Sequence, residues 1–129
     1  ITADLSNCPD LGPALFALAT QLEGTSVFTG CGRLRIKESD RIACMEEELR
    51  KLGCKISSSD DMVTINGKTG LNENVILYGH NDHRIVMALS VLASLSDGCI
   101  IEGAQAVSKS YPYFFEDFKA CGMECEIHD

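Results

Sequence analysis

Two stretches of this chain are apolar almost without interruption, and two others are apolar on one side only. Residues 10–22 (DLGPALFALATQL) and 85–95 (IVMALSVLASL) lack the polar face of a surface helix. That pattern predicts two helices covered on every side inside a domain. Pro13 fits only near the start of the first. Ile42, Met45, Leu49 and Leu52 recur at helical spacing, with Glu46, Glu47, Glu48, Arg50 and Lys51 between them. They predict an amphipathic helix with Ser39 as N-cap and Gly53 as stop. Phe114, Phe115, Phe118 and Cys121 form a second stripe, with Ser110 as N-cap, Pro112 in the first turn and Gly122 beyond the end. Shorter runs at 25–30, 54–57, 62–66, 75–78, 99–102 and 124–127 read as strands, the second and third joined as a hairpin. Residues 1–9 are polar and read as an entry to the first helix.

The pattern recurs along the chain. Leu15 to Phe28 aligns without gaps on Leu89 to Glu102, so that Gly24 matches Gly98. Each copy has a buried helix, a glycine, a strand, a loop with a lysine, an amphipathic helix and a further strand. The spacing far exceeds that of a solenoid and predicts a duplicated α/β subdomain, with units of about 1–70 and 71–129. The fold class is α/β (α+β), with buried helices inside and sheets and amphipathic helices outside.

Charge adds a conflict to this picture. Arg33-Leu34-Arg35-Ile36-Lys37-Glu38-Ser39-Asp40-Arg41 packs four cations and two carboxylates at the start of the first amphipathic helix. A cation in the first turn opposes the helix dipole at a cost of about 0.3–1 kcal/mol. Arg84 repeats the anomaly at the start of the second apolar helix. Asp10, Asp82, His83 and Lys109 stand at or just before helix starts as well. The joint reading is a set of helix ends converging on one polyanionic ligand, with Asp10 and Glu38 available as general base and acid. Taken singly, the segment 33–41 reads equally as a solvated charge run. Asp10 and Asp82 read as plain N-caps, His83 as a structural histidine and Lys109 as a solvated cation.

Composition narrows the classes. The chain has 129 residues and a net charge of −8, which argues against nonspecific nucleic-acid binding and confines any anion site to a local patch. Seven cysteines with no C-x-x-C pair predict free thiols in a reducing cytoplasm, with no disulfide framework and no zinc site. No apolar run approaches the roughly 20 residues of a membrane span. Asn81-Asp82-His83 has no companion cluster, so no metal is expected. Nucleotide-binding glycine motifs are absent too, and no cofactor is expected. Ile1 in place of an initiator Met predicts a piece of a longer protein.

Leu34 to Arg41 (LRIKESDR), Asn81 to Arg84 (NDHR) and Ala106 to Pro112 (AVSKSYP) closely resemble three signatures of the 5-enolpyruvylshikimate-3-phosphate synthase family, and Asn7 to Asp10 (NCPD) resembles a fourth. The resemblance spans essentially the whole chain. It implies an inside-out α/β domain, of which this chain is the C-terminal part, about two of three units. The N-terminal part of the same polypeptide would then be its partner. It also implies transfer of the enolpyruvyl group of phosphoenolpyruvate to the 5-hydroxyl of shikimate 3-phosphate, on the route to chorismate and at the step glyphosate inhibits. On that likeness Asp10 is the base at the 5-hydroxyl and Glu38 the acid at the phosphoenolpyruvate methylene. Lys37 lies near shikimate 3-phosphate and the transferring centre, and Arg33 is assigned to the same substrate. Arg41, Arg84 and Lys109 hold phosphoenolpyruvate or glyphosate, supported by His83 and Asp82. The chain by itself is expected to be inactive. The competing expectations are a noncatalytic anion-binding domain and a transferase using another acceptor, such as UDP-N-acetylglucosamine.

Overall fold

In the computed structural model, which describes residues 1–128, β1 (Thr2–Asp4) lies parallel to β2 (Gly24–Thr29), with Thr2 opposite Val27. The connection between them is a 3-10 turn (Pro9–Leu11) and α1 (Gly12–Ala19). After a second 3-10 segment (Gly32–Ile36) come α2 (Arg41–Lys51), β3 (Lys55–Ser58) and β4 (Val63–Gly67). β4 pairs antiparallel with both β2 and β3, giving one four-stranded sheet in the order β1-β2-β4-β3. The chain then repeats the opening move. β5 (Val75–Tyr78), α3 (His83–Ala93) and β6 (Cys99–Glu102) form a second parallel pair linked through a helix. A 3-10 segment (Ala104–Lys109) and α4 (Phe114–Ala120) follow.

Side-chain period explains the layers. Ser26 and Phe28 of β2, Ile56 of β3 and Val63 and Ile65 of β4 alternate into the core. α2 buries Ile42, Met45 and Leu49 on one stripe, facing the same core. Phe16 of α1 meets Phe28 of β2 edge to face at 5.3 Å between ring centroids. Each such buried side chain contributes about 1.5–3 kcal/mol. Val86, Ala106, Val107 and Phe114 form a separate small cluster under α4. Two glycines allow close packing. A Cβ on Gly67 would lie 1.9 Å from the Leu22 carbonyl oxygen, and one on Gly79 would lie 2.5 Å from Val86 Cγ2.

Several expectations change here. The polar opening forms β1, because its backbone pairs with β2 and one short parallel strand needs no apolar run of its own. Asp40, not Ser39, caps α2, accepting from the Ala43 amide at 3.0 Å. α4 starts at Phe114 without a side-chain cap, and Ser110 turns to His83 instead. Glu124 to Ile127 form no strand, since no neighbouring strand pairs with them. The two apolar helices are covered over most of their surface but not all round. Leu18, Val91 and Leu95 are 50%, 56% and 66% exposed, and α1 and α3 leave an apolar groove between them.

Candidate active site

Arg41 stands in the first turn of α2 and is 1% exposed. Its Nε donates to Asp82 Oδ2 at 2.9 Å and its Nη2 to Asp82 Oδ1 at 3.3 Å, a two-pronged grip on a fully buried carboxylate. Nη1 donates to Asp10 Oδ1 at 3.1 Å, and Nη2 also pairs with Glu38. The cation that opposed the helix dipole is therefore neutralised by three of the protein's own carboxylates, brought from three parts of the chain. Asp82 caps α3 through the Arg84 amide at 3.0 Å and accepts from Ser39 Oγ at 2.8 Å. Burial alone would raise the Asp82 carboxyl, but the hydrogen bonds from Arg41 and Ser39 and the charge of Arg41 hold it below its ordinary value.

Above this buried pair lies an exposed polar rim. Asp10 is half exposed, with Lys37 Nζ at 3.6 Å from Oδ1 and an Arg84 guanidinium nitrogen at 3.8 Å from Oδ2. Its slight burial raises its carboxyl, and the charges of Arg84, Lys37 and Arg41 more than reverse this, leaving it ionised below the usual carboxylate range. Asp10 belongs to the 3-10 turn and does not cap α1, which excludes its plain structural reading. Glu38, also half exposed, faces His83 Nε2 at 3.6 Å, and His83 Nδ1 is held by Ser110 Oγ.

Seven of the nine expected site residues thus meet in one network: Asp10, Lys37, Glu38, Arg41, Asp82, His83 and Arg84. Lys109 joins its edge by donating to the Asn81 carbonyl oxygen, one residue before Asp82. Arg33 stands apart and donates to the Ser6 carbonyl oxygen at 3.3 Å. Sequence patterns missed Ser39 and Ser110 as partners of site residues, because each also reads as an ordinary helix cap. Oxygen and nitrogen atoms of Glu38, Asp82 and His83 lie within 4.8 Å of one another, as metal ligands would. The Arg41 guanidinium occupies two of those carboxylates, so a cation added there would meet one already in place.

The rim presents half-buried Lys37 and Arg84 beside the exposed carboxylates Asp10 and Glu38, an arrangement whose chemistry suits an anionic ligand and proton transfer. A family model for EPSP synthase (3-phosphoshikimate 1-carboxyvinyltransferase) matches residues 1–118. The chain belongs to this family. It is 42% identical over 127 residues to the 3-phosphoshikimate 1-carboxyvinyltransferase of Clostridium kluyveri, covering 98% of this chain and 30% of that protein. The enzyme of the same name from Clostridium acetobutylicum is 44% identical over 130 residues, with 100% and 30% covered. A solved EPSP synthase from Acinetobacter baumannii superposes with a TM-score of 0.86 at 34% identity, over 94% of this chain and 29% of that one. The chain thus spans about 30% of the length of the curated relatives it matches. The solved structures carry the same mixed α/β architecture, as expected from the sequence. Among the described residues, no helix is long and apolar enough to cross a membrane.

Proposed function

We propose that this chain supplies one wall of the active site of a 3-phosphoshikimate 1-carboxyvinyltransferase, with the N-terminal remainder of the same polypeptide supplying the other. The enzyme transfers the enolpyruvyl group of phosphoenolpyruvate to the 5-hydroxyl of shikimate 3-phosphate and releases phosphate. The observation that carries this reading is the convergence of Asp10, Glu38, Lys37 and Arg84 around the buried Arg41–Asp82 pair in a member of this family. The units 1–70 and 71–129 are two copies of one α/β unit, supported by the recurring parallel strand–helix–strand order.

In the reaction Asp10 takes the proton of the 5-hydroxyl as its oxygen attacks C2 of phosphoenolpyruvate. Glu38 gives a proton to the methylene carbon, producing a tetrahedral phosphoketal. Elimination expels phosphate, which takes up the proton held by Asp10, while a proton returns from the new methyl group to Glu38, restoring the vinyl ether and the starting state of both carboxylates. Lys37 lies beside Asp10 and stabilises charge on the acceptor side. Arg33, outside the network, is assigned to shikimate 3-phosphate on the family resemblance alone. Arg84 and Lys109 bind phosphoenolpyruvate from the exposed rim, and Arg41 reaches it from below while it orients both working carboxylates. His83 supports Glu38, and Asp82 fixes Arg41. No cofactor takes part in this scheme.

The test is phosphate release by the full-length protein with both substrates, beside Asp10→Ala and Glu38→Ala. A rate loss of about 100-fold or more in each variant is expected for groups that move protons in the transition state. Full rate in both variants of an active parent would remove the assignment, and turnover by this chain alone would show that the second wall is dispensable.

A further inference from the structure

The four residues Asn81 to Arg84 all touch the site, and the structure shows what holds them there. Asp82 grips Arg41, His83 faces Glu38, Arg84 faces Asp10, and the Asn81 carbonyl accepts from Lys109. Immediately before them the backbone makes an unusual turn. His80 and Asn81 both have φ of 53°, a left-handed conformation that residues with a Cβ seldom adopt twice running. Such a turn persists only where its surroundings fix it.

The fixing group is Glu48, a carboxylate with no exposed surface on the buried face of α2. Its Oε1 accepts from the Tyr78 amide at 2.8 Å and from Lys51 Nζ at 2.7 Å. Its Oε2 lies 2.7 Å from His80 Nε2, which therefore carries the ring proton, because a carboxylate needs a donor there. Tyr78 packs against the same imidazole at 4.8 Å between centroids. Glu48 thus holds the chain on both sides of Gly79. Gly79 itself is tied to the Glu102 carbonyl at 2.9 Å and has no room for a side chain.

Arg41 and Glu48 are seven residues apart on α2, two turns along one face. One rigid helix therefore grips the segment 78–82 at two points, Glu48 at Tyr78 and His80 and Arg41 at Asp82. Of the two left-handed residues, His80 is held by the first grip and Asn81 lies between it and the second. We propose that Glu48 and His80 are positioning residues for the site. Their bond fixes the register of the 78–82 turn against α2 and so places His83 opposite Glu38 and Arg84 opposite Asp10. The link to catalysis rests on the proposed transferase function, whereas the positioning itself does not.

Two measurements test the two parts separately. In this chain, amide hydrogen exchange is followed at Asp82, Arg84 and Val86, with Ile65 and Ser26 in the β2–β4 ladder as reference. His80→Ala is expected to speed exchange about tenfold or more at the first three and to leave the ladder unchanged. His80→Gln places an amide donor at the reach of Nε2 and should restore protection. His80→Gly relieves the left-handed backbone without restoring the donor, and should not. In the full-length protein, kcat/KM for phosphoenolpyruvate should fall about tenfold to a hundredfold in His80→Ala and recover in His80→Gln. Unchanged exchange, equal loss of protection throughout the chain, or protection recovered by His80→Gly would each overturn the positioning role. Loosened exchange with unchanged kcat/KM would overturn its link to catalysis. An inactive unaltered parent would instead overturn the proposed function, leaving the exchange result to stand by itself.

Discussion

Arg41 and Asp82 lie 41 positions apart in sequence, yet they form a two-pronged ion pair in which neither side chain is more than 2% exposed. The pair ties the start of α2 to the start of α3, and the exposed carboxylates Asp10 and Glu38 take their positions from the same guanidinium. Removing one partner leaves the other charged and buried. Asp82→Asn or Arg41→Met is therefore expected to lower the unfolding free energy by about 3–5 kcal/mol. The double variant should cost much less than the sum, because both charges leave together. Urea unfolding midpoints of the four proteins check this, and strictly additive losses would show that the two residues act independently.

Two buried carboxylates also set how the fold responds to acid. Burial would raise Glu48, but hydrogen bonds from Lys51, His80 and the Tyr78 amide hold it below its ordinary value, and Asp82 is lowered in the same way. For a depressed carboxyl the unfolded chain takes up the proton first. Stability is then fully present above the unfolded carboxylate range of about 4 and falls as pH drops through it towards the lowered folded values. Urea midpoints measured between neutral and acid pH should stay level until that range and then decline. Glu48→Gln should flatten the decline, and an unchanged acid limb in that variant would exclude Glu48 as a source.

Much of this was legible in the sequence, and the parts that were not share a physical cause. Strands β2 to β6 and helices α2 and α3 follow from period and from glycine stops, which are local properties. β1 was not legible, since Thr2-Ala3-Asp4 becomes a strand only because β2 offers it a parallel partner. The odd charges at Arg41 and Arg84 did point to a charged cluster, because a cation in a helix's first turn demands an anion nearby. Which anion was hidden. Glu38 is a local neighbour three residues before Arg41, but Asp10 and Asp82 reach it from distant parts of the chain, and their convergence is a tertiary fact. The exposed faces of α1 and α3 escaped for the converse reason. An all-apolar helix signals a need for cover, and the covering side chains need not lie within the same stretch of sequence.

Lys109 separates binding from stability. It is exposed and its ammonium rests on the Asn81 carbonyl oxygen, with no buried partner left unpaired if it is lost. Lys109→Met should change the urea midpoint by no more than the equivalent of about 0.5 kcal/mol. In the full-length protein it should weaken phosphoenolpyruvate binding about tenfold, the scale of one charge-assisted contact. Titration of the ligand beside an unfolding curve gives both numbers. A large stability loss with unaltered affinity would reverse the assignment and make Lys109 a structural tie.

Cysteine reactivity offers a check on the fold that does not depend on the site. Burial, with the nearby charges of Asp61 and Asp4, pushes the Cys31 thiol up to about 11, and burial raises Cys44 and Cys54 as well. Thiolate is the nucleophile, so near pH 8 only roughly one Cys31 in a thousand is reactive, and it is sterically enclosed besides. Cys121 is exposed at the end of α4. A short pulse of iodoacetamide on the folded chain, read by peptide mass spectrometry, should modify Cys121 first and leave Cys31, Cys44 and Cys54 untouched. Those three should become modified together as urea crosses the unfolding midpoint, since Cys31, Cys44 and Cys54 belong to one core. Early labelling of Cys54 alone would show that the α2–β3 corner opens separately from the sheet it packs against.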